Sequence, residues 1–279
     1  MTFGAIALNW LEQEGANQMV EHVLEYGINH FDVAPVYGDA EVKLAPKLNQ
    51  YRDEIFLGCK TQERDYDGAW NKLESSLERL DVDSIDLYQI HGLEYDHELD
   101  TITSDNGALE AFREAKNRGL IDHIGVTSHA EPQLITKAID RIPDLETVMF
   151  PLNPVVMAKD GAEYDFADVL EKANQQNIGT LAIKGFADGP WPPTDQLPAA
   201  DRPFSNWYRP TSTSEQIQER FNFVASQGVT SVINPGDPKL VTMTLEAAAG
   251  YEPMDDAAQR SVIEKARHEE SPVPEQLHH

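Results

Sequence analysis

The sequence predicts an α/β protein of the (β/α)8, or TIM-barrel, class, built as one domain over residues 1–279. Three observations predict it. Eight short, apolar, β-rich runs recur along the chain, helical patterns separate them, and the total length suits eight βα units better than a doubly wound sheet. No low-complexity tract or linker interrupts the alternation.

The strand runs fall at residues 3–8, 29–33, 55–60, 85–91, 123–128, 147–150, 180–184 and 229–234. Between them lie apolar stripes at helical spacing, which read as core-facing helix surfaces. Met19, Val20, Val23 and Leu24 form the first, and Trp70, Leu73, Leu77 and Leu80 a later one. Phe166, Val169, Leu170 and Ala173 mark another, and Ile217, Phe221, Val224 and Ala225 the helix before the last strand. A final helix is expected near residues 255–269, followed by a frayed tail at 271–279. His278-His279 is too short to read as a metal site.

Composition narrows the function. With 48 acidic and 22 basic residues the net charge is −26, which repels nucleic acid and anionic membranes. Dispersed excess carboxylate resembles proteins that stay soluble in concentrated salt, where screening removes self-repulsion. A halophilic protein is therefore expected, with a melting temperature that rises from low to molar KCl; a flat dependence would contradict this. The single cysteine, Cys59, excludes an internal disulfide and any cysteine-ligated metal site, and sits in an apolar run as a core residue. No metal site is predicted. No apolar run is long enough to span a membrane and no basic, apolar leader opens the chain, so a cytoplasmic enzyme is expected.

Barrel active sites form where strands end. The run His30-Phe31-Asp32-Val33-Ala34-Pro35 stops at a proline that cannot continue a central strand. Asp32 thus stands at the strand's C-terminal end, with Tyr37 in the loop beyond. The third run closes on Lys60, and the fourth closes on His91 before Gly92. Taken singly, each has a plain structural reading: a turn aspartate, a solvated lysine, a satisfied histidine. Three consecutive strands delivering Asp, Lys and His to one mouth form a chemical set. A free phenol titrates near pH 10, and a neighbouring ammonium favours its phenolate. Asp32 would hold Lys60 charged, and His91 could donate a hydrogen bond to a carbonyl oxygen while Tyr37 donates a proton. The set polarises and protonates a carbonyl but supplies no hydride.

Asp32-x-Ala34-x-x-Tyr37-Gly38-x-x-Glu41, with Lys60 and His91 closing the next two strands, resembles the aldo/keto reductase family over essentially the whole chain. The resemblance implies a (β/α)8 barrel that binds a nicotinamide dinucleotide without a Rossmann fold, and no G-x-G-x-x-G follows any strand run here. It implies Tyr37 as general acid-base, Asp32 and Lys60 as its tuning pair, and His91 orienting the substrate. Trp10 resembles the substrate-pocket aromatic, with Asn9 beside the cofactor. Ser128 and His129 stand where the family places Ser-Asn against the carboxamide. Met149 replaces a glutamine, Asn153 follows it, and Lys184 ends the seventh run. Gly236 and Lys239 open the helix expected to receive the adenosine end, where backbone amides suit a phosphate. Asp237 and Leu240 stand beside them, without the arginine that grips a 2′-phosphate. The resemblance puts NADP(H) ahead of NAD(H) and leaves NAD(H) open.

The stretch 185–213 is long enough to be a lid, with Trp191 its expected pocket aromatic. The predicted function is reduction of a small carbonyl compound, or oxidation of the alcohol. A non-catalytic barrel of this family that binds nicotinamide or a partner, and an isomerase or lyase with a Schiff base on Lys60, remain the alternatives. Oligomeric state is not readable.

Overall fold

A computed structural model describes residues 1–273, so His278 and His279 lie outside the described residues. Seven strands pair in sequence order: β1 (Thr2–Gly4), β2 (His30–Asp32), β3 (Phe56–Thr61), β4 (Ile85–Ile90), β5 (Ile121–Thr127), β6 (Thr147–Pro151) and β7 (Gly179–Ile183). An antiparallel pair, β8 (Ala187–Gly189) with β9 (Arg209–Pro210), stands outside this sheet. β10 (Ser231–Val232) pairs in parallel with β7. Ile233 bridges to Thr2, and the Asn234 N–H donates to the Thr2 carbonyl at 3.2 Å, which closes the barrel.

Side chains alternate across each strand, so one set points into the barrel and the other toward the helices. On β3, Leu57 and Cys59 join the main core, while Gly58 and Lys60 face inward beside Asp32. Leu87, Met149, Leu181 and Ile233 fill the interior as a small apolar layer. The larger core lies between barrel and helices, where both faces of a parallel sheet must be covered. Part of the acid excess is structural: Asp65, Asp165, Asp237 and Asp255 each cap the start of a helix through the side chain. No helix among the described residues is long and apolar enough to cross a membrane.

Three expectations change. The first run is a strand only through Gly4; residues Ala5–Trp10 form a 3₁₀ helix instead. The Gly4 amide donates to the Asn234 side chain at 2.5 Å rather than to a neighbouring strand, so the ladder stops there. The stretch 185–213 is not structureless, since it contains the β8–β9 pair and a 3₁₀ turn at Ala199–Asp201. Of the expected frayed tail at 271–279, residues 274–279 lie outside the described residues, and within the described part Val273 is buried and belongs to the core.

Candidate active site

The C-terminal ends of the barrel strands surround a cleft. Asp32, Tyr37, Lys60 and His91 all line it. Lys60 Nζ donates to Asp32 Oδ2 at 2.5 Å and to the Val33 carbonyl at 3.1 Å, and both side chains are buried. Gln89, two residues before His91 and hence on the same inner face of β4, donates to Asp32 Oδ1 at 3.3 Å. Gly125 on β5 makes room for it, because a Cβ there would stand 2.8 Å from Gln89 Cγ and 2.3 Å from Thr147 Oγ1. Gln89 was missed in the sequence; inward alternation from His91 is the signal that finds it.

Lys60 Nζ lies 5.3 Å from the Tyr37 ring centroid, and the Tyr37 and His91 rings meet edge-on with centroids 5.8 Å apart. His91 is fixed through its backbone: its N–H donates to the Thr61 carbonyl at 2.8 Å, and its carbonyl accepts from Arg64 at 3.1 Å. Its Nδ1 is buried without a hydrogen-bond partner, which leaves Nε2 as the nitrogen open to the cleft. An unpaired lone pair costs less than an unpaired N–H, so the proton belongs on Nε2.

Electrostatics set the protonation states. Burial, helped by Lys60 and Arg64, pushes His91 down to about 3, so it is neutral at physiological pH. Burial opposes the Lys60 ammonium, but the Asp32 carboxylate and Tyr37 hold its pKa above the ordinary value. For Tyr37 the outcome differs from the simple expectation. Burial outweighs the pull of Lys60, so the phenol stands above its ordinary value of 10.0 and carries its proton at neutral pH. The site thus holds a proton donor, a fixed cation and a neutral imidazole around one point.

The remaining predicted residues are placed less uniformly. Trp10, His129, Lys184 and Gly236 line the cleft. Burial, with Lys184 and His91 nearby, drives His129 well below its ordinary value, so it too is neutral. Lys184 adopts a left-handed backbone with φ of 56°, a strained setting for a residue with a side chain. Asn153 stabilises it by donating to the Lys184 carbonyl at 3.0 Å while its oxygen caps Val156 N at 2.9 Å. Both ends of the Asn153 amide are therefore engaged within the protein. The Ser128 hydroxyl is likewise engaged, donating to the Leu93 carbonyl at 2.6 Å and accepting from Ala130 N at 3.1 Å. Asn9 turns away from the cleft, its Oδ1 accepting from Asp39 N at 3.0 Å.

At the far end, Asp237 accepts from Lys239 N at 2.9 Å and from Ser205 N at 2.7 Å, so a carboxylate already occupies the start of helix Pro238–Ala249. The Lys239 ammonium donates to the Pro203 carbonyl at 2.8 Å. Trp191, the expected pocket aromatic, belongs to the strap formed by residues 185–213 and is not among the residues lining the cleft; its indole N–H donates to the Asn206 carbonyl at 2.7 Å. That bond presents Asn206, Trp207 and Tyr208 to the cleft, together with Ser205. Trp207 is 67% exposed at the cleft mouth. Which of the strap's tryptophans faces inward depends on tertiary contacts and has no local sequence signal.

The model of the Aldo/keto reductase family matches residues 1–233, most of the chain, and the protein belongs to that family. Among curated proteins, an aldo/keto reductase of Synechocystis is 25% identical over 83% of this chain and 76% of its own length. Uncharacterized oxidoreductase YqkF of Bacillus subtilis is 30% identical over 47% of this chain; the match spans 45% of that relative, under half its length. Among solved structures, the holo form of an aldo-keto reductase from Bacillus halodurans superposes with a TM-score of 0.71 at 21% identity, covering 99% of this chain and 94% of that one. At that identity the likeness speaks for the barrel fold.

Proposed function

We propose that this protein is a nicotinamide-dependent oxidoreductase that reduces an aldehyde or ketone to the alcohol, or runs the reverse reaction. The observation that carries it is the convergence of Tyr37, the Lys60–Asp32 pair and neutral His91 on one end of the cleft. In reduction, the Tyr37 hydroxyl donates its proton to the carbonyl oxygen as negative charge develops there. Lys60 stabilises the resulting phenolate, and Asp32 with the Val33 carbonyl keeps the ammonium charged and aimed. His91 Nε2–H donates a hydrogen bond to the same carbonyl oxygen and orients the substrate.

The hydride requires a nicotinamide cofactor, and the cleft has features that suit one. Met149, Ile183 and Ile233 give it an apolar floor, and Gly4 and Gly236 leave backbone without side chains along its wall. His129 has a buried Nδ1 without a partner. His129, Lys184 and Gly236 are the residues we assign to holding the cofactor. NADP(H) stands first by family resemblance, but the Asp237 carboxylate and the engaged Lys239 ammonium disfavour a 2′-phosphate at that helix start.

Trp10 and Trp207 line the cleft, so their fluorescence reports on occupancy. Titration with NADPH and with NADH in high KCl is expected to give saturable quenching by at least one, followed by oxidation of that cofactor on adding an aldehyde such as benzaldehyde. A folded protein that binds neither would overturn this reading in favour of a non-catalytic barrel.

A further inference from the structure

The Tyr37 turn is closed by its own backbone, its N–H donating to the Ala34 carbonyl at 3.0 Å and its carbonyl accepting from Ala40 N at 3.2 Å, and the loop is also held from two sides. From below, Asn9 at the end of the Ala5–Trp10 turn accepts from Asp39 N at 3.0 Å through Oδ1, and its carbonyl accepts from Lys43 Nζ at 3.0 Å. From the outer face, Arg79 in helix Tyr66–Leu80 donates to the Gly38 carbonyl at 2.9 Å and forms an ion pair with Glu41 at 3.1 Å. Glu41 is fully buried in the first turn of the helix that follows Tyr37, and its other oxygen receives the Cys59 thiol at 3.5 Å. Cys59 precedes Lys60 on β3, so one contact chain joins the strand bearing the lysine to the turn bearing the phenol.

Gly38 makes this clamp possible. Its φ is +60°, and a Cβ would stand 2.2 Å from Asn9 Oδ1. Only glycine lets Asn9 approach so closely, and the left-handed turn aims the Gly38 carbonyl outward at Arg79. Asn9 and Arg79 thus grip the residues on either side of one peptide, immediately after Tyr37.

We propose that Asn9 and Arg79 are positioning residues, which hold the Tyr37 phenol in register with Lys60 and His91 without touching substrate or cofactor. The Arg79–Glu41 pair holds the loop from outside the barrel, and Asn9 holds it from the barrel's first turn. The inference rests on Tyr37 being the acid-base of the reaction. Removing either grip lets the loop shift, and displacements of about 1 Å at a reacting group can lower turnover by about a hundredfold.

The test is steady-state kinetics of Asn9→Ala, Arg79→Met and Arg79→Lys beside the parent and Tyr37→Phe, with benzaldehyde and the cofactor that quenches fluorescence. The ultraviolet titration of Tyr37, read as the difference between each protein and its Tyr37→Phe counterpart, is recorded in parallel and needs no turnover. Asn9→Ala and Arg79→Met should lower kcat about tenfold or more with KM little changed, and should move the Tyr37 titration from its parent value. Arg79→Lys keeps a donor for the Gly38 carbonyl and should recover most of the loss. Unchanged kcat and an unchanged Tyr37 titration in both truncated variants, with Tyr37→Phe inactive, would overturn the clamp alone. A fully active Tyr37→Phe would instead remove the acid-base reading on which it rests. Where benzaldehyde is not turned over, the titration alone decides the clamp.

Discussion

The two sides of the cleft are built on different principles. On the β2–β4 side, Asp32, Lys60, Gln89 and His91 stand on or directly after strands, and hydrogen bonds to neighbouring strands hold them. On the opposite side, the wall comes from the strap, whose Asn206–Tyr208 segment is aimed by Trp191 and by the Ser205–Asp237 contact. Strand ends give groups that must be placed to within a fraction of an ångström; a loop gives a surface that differs among relatives without disturbing the chemistry. On the function proposed above, the chemistry belongs to the rigid side and selectivity to the adaptable one.

The largest effect should come from breaking the rigid side. Lys60→Met leaves the Asp32 carboxylate buried without its cation, and loss of one partner of a buried pair costs roughly 3–5 kcal/mol. Chemical denaturation should show that loss together with collapse of activity; a stability within experimental error of the parent would mean the pair is not what stabilises the site.

The pH dependence sharpens the contrast with the barrel's opposite end. Burial, with Lys60 and the N-terminal ammonium nearby, holds His30 at about 3, and His91 lies there too. Unfolded histidine titrates near 6.5, so below that pH the unfolded chain binds protons that the folded one refuses. Both histidines therefore contribute stability above pH 6.5 that is lost as pH falls from 6.5 toward 3. Thermal melts should drop across that window, and His30→Gln should flatten the slope without altering the pH profile of turnover. An equal slope in that variant would exclude His30 from the effect.

On the adaptable side, the effects should be small in stability and selective in binding. Trp207 is exposed and lines the cleft, so Trp207→Ala should leave the melting temperature nearly unchanged. Loss of one aromatic contact worth about 1 kcal/mol should weaken binding of the cofactor or aldehyde about fivefold. Equal affinity for both would place Trp207 outside the binding surface.

The same division explains what was legible in the sequence. Asp32, Lys60 and His91 were readable because each ends an apolar run, and a barrel sends all strand ends to one mouth. Gln89 followed the same rule but needed the inward alternation of β4 to be noticed. The first strand was read too long because Ala5-Ile6-Ala7-Leu8 is apolar, whereas its pairing ends when Asn234 takes the Gly4 amide, a contact 230 residues away in sequence. Asn153 and Ser128 matched a family pattern by position, yet their hydrogen bonds are engaged within the fold. Trp191 was the expected pocket aromatic, yet Trp207 lines the cleft instead, because only the folded strap decides which indole faces inward.

The most direct test of the division is Tyr37→Phe, which removes one oxygen from the loop that follows β2 on the strand-end side and leaves the strap intact. Turnover should fall by about a thousandfold or more, the contribution expected of a positioned general acid, while NADH or NADPH quenches tryptophan fluorescence with nearly the parent's affinity. Turnover close to the parent's would contradict the assignment of Tyr37 as the proton donor, and with it the claim that the strand-end side of the cleft carries the chemistry.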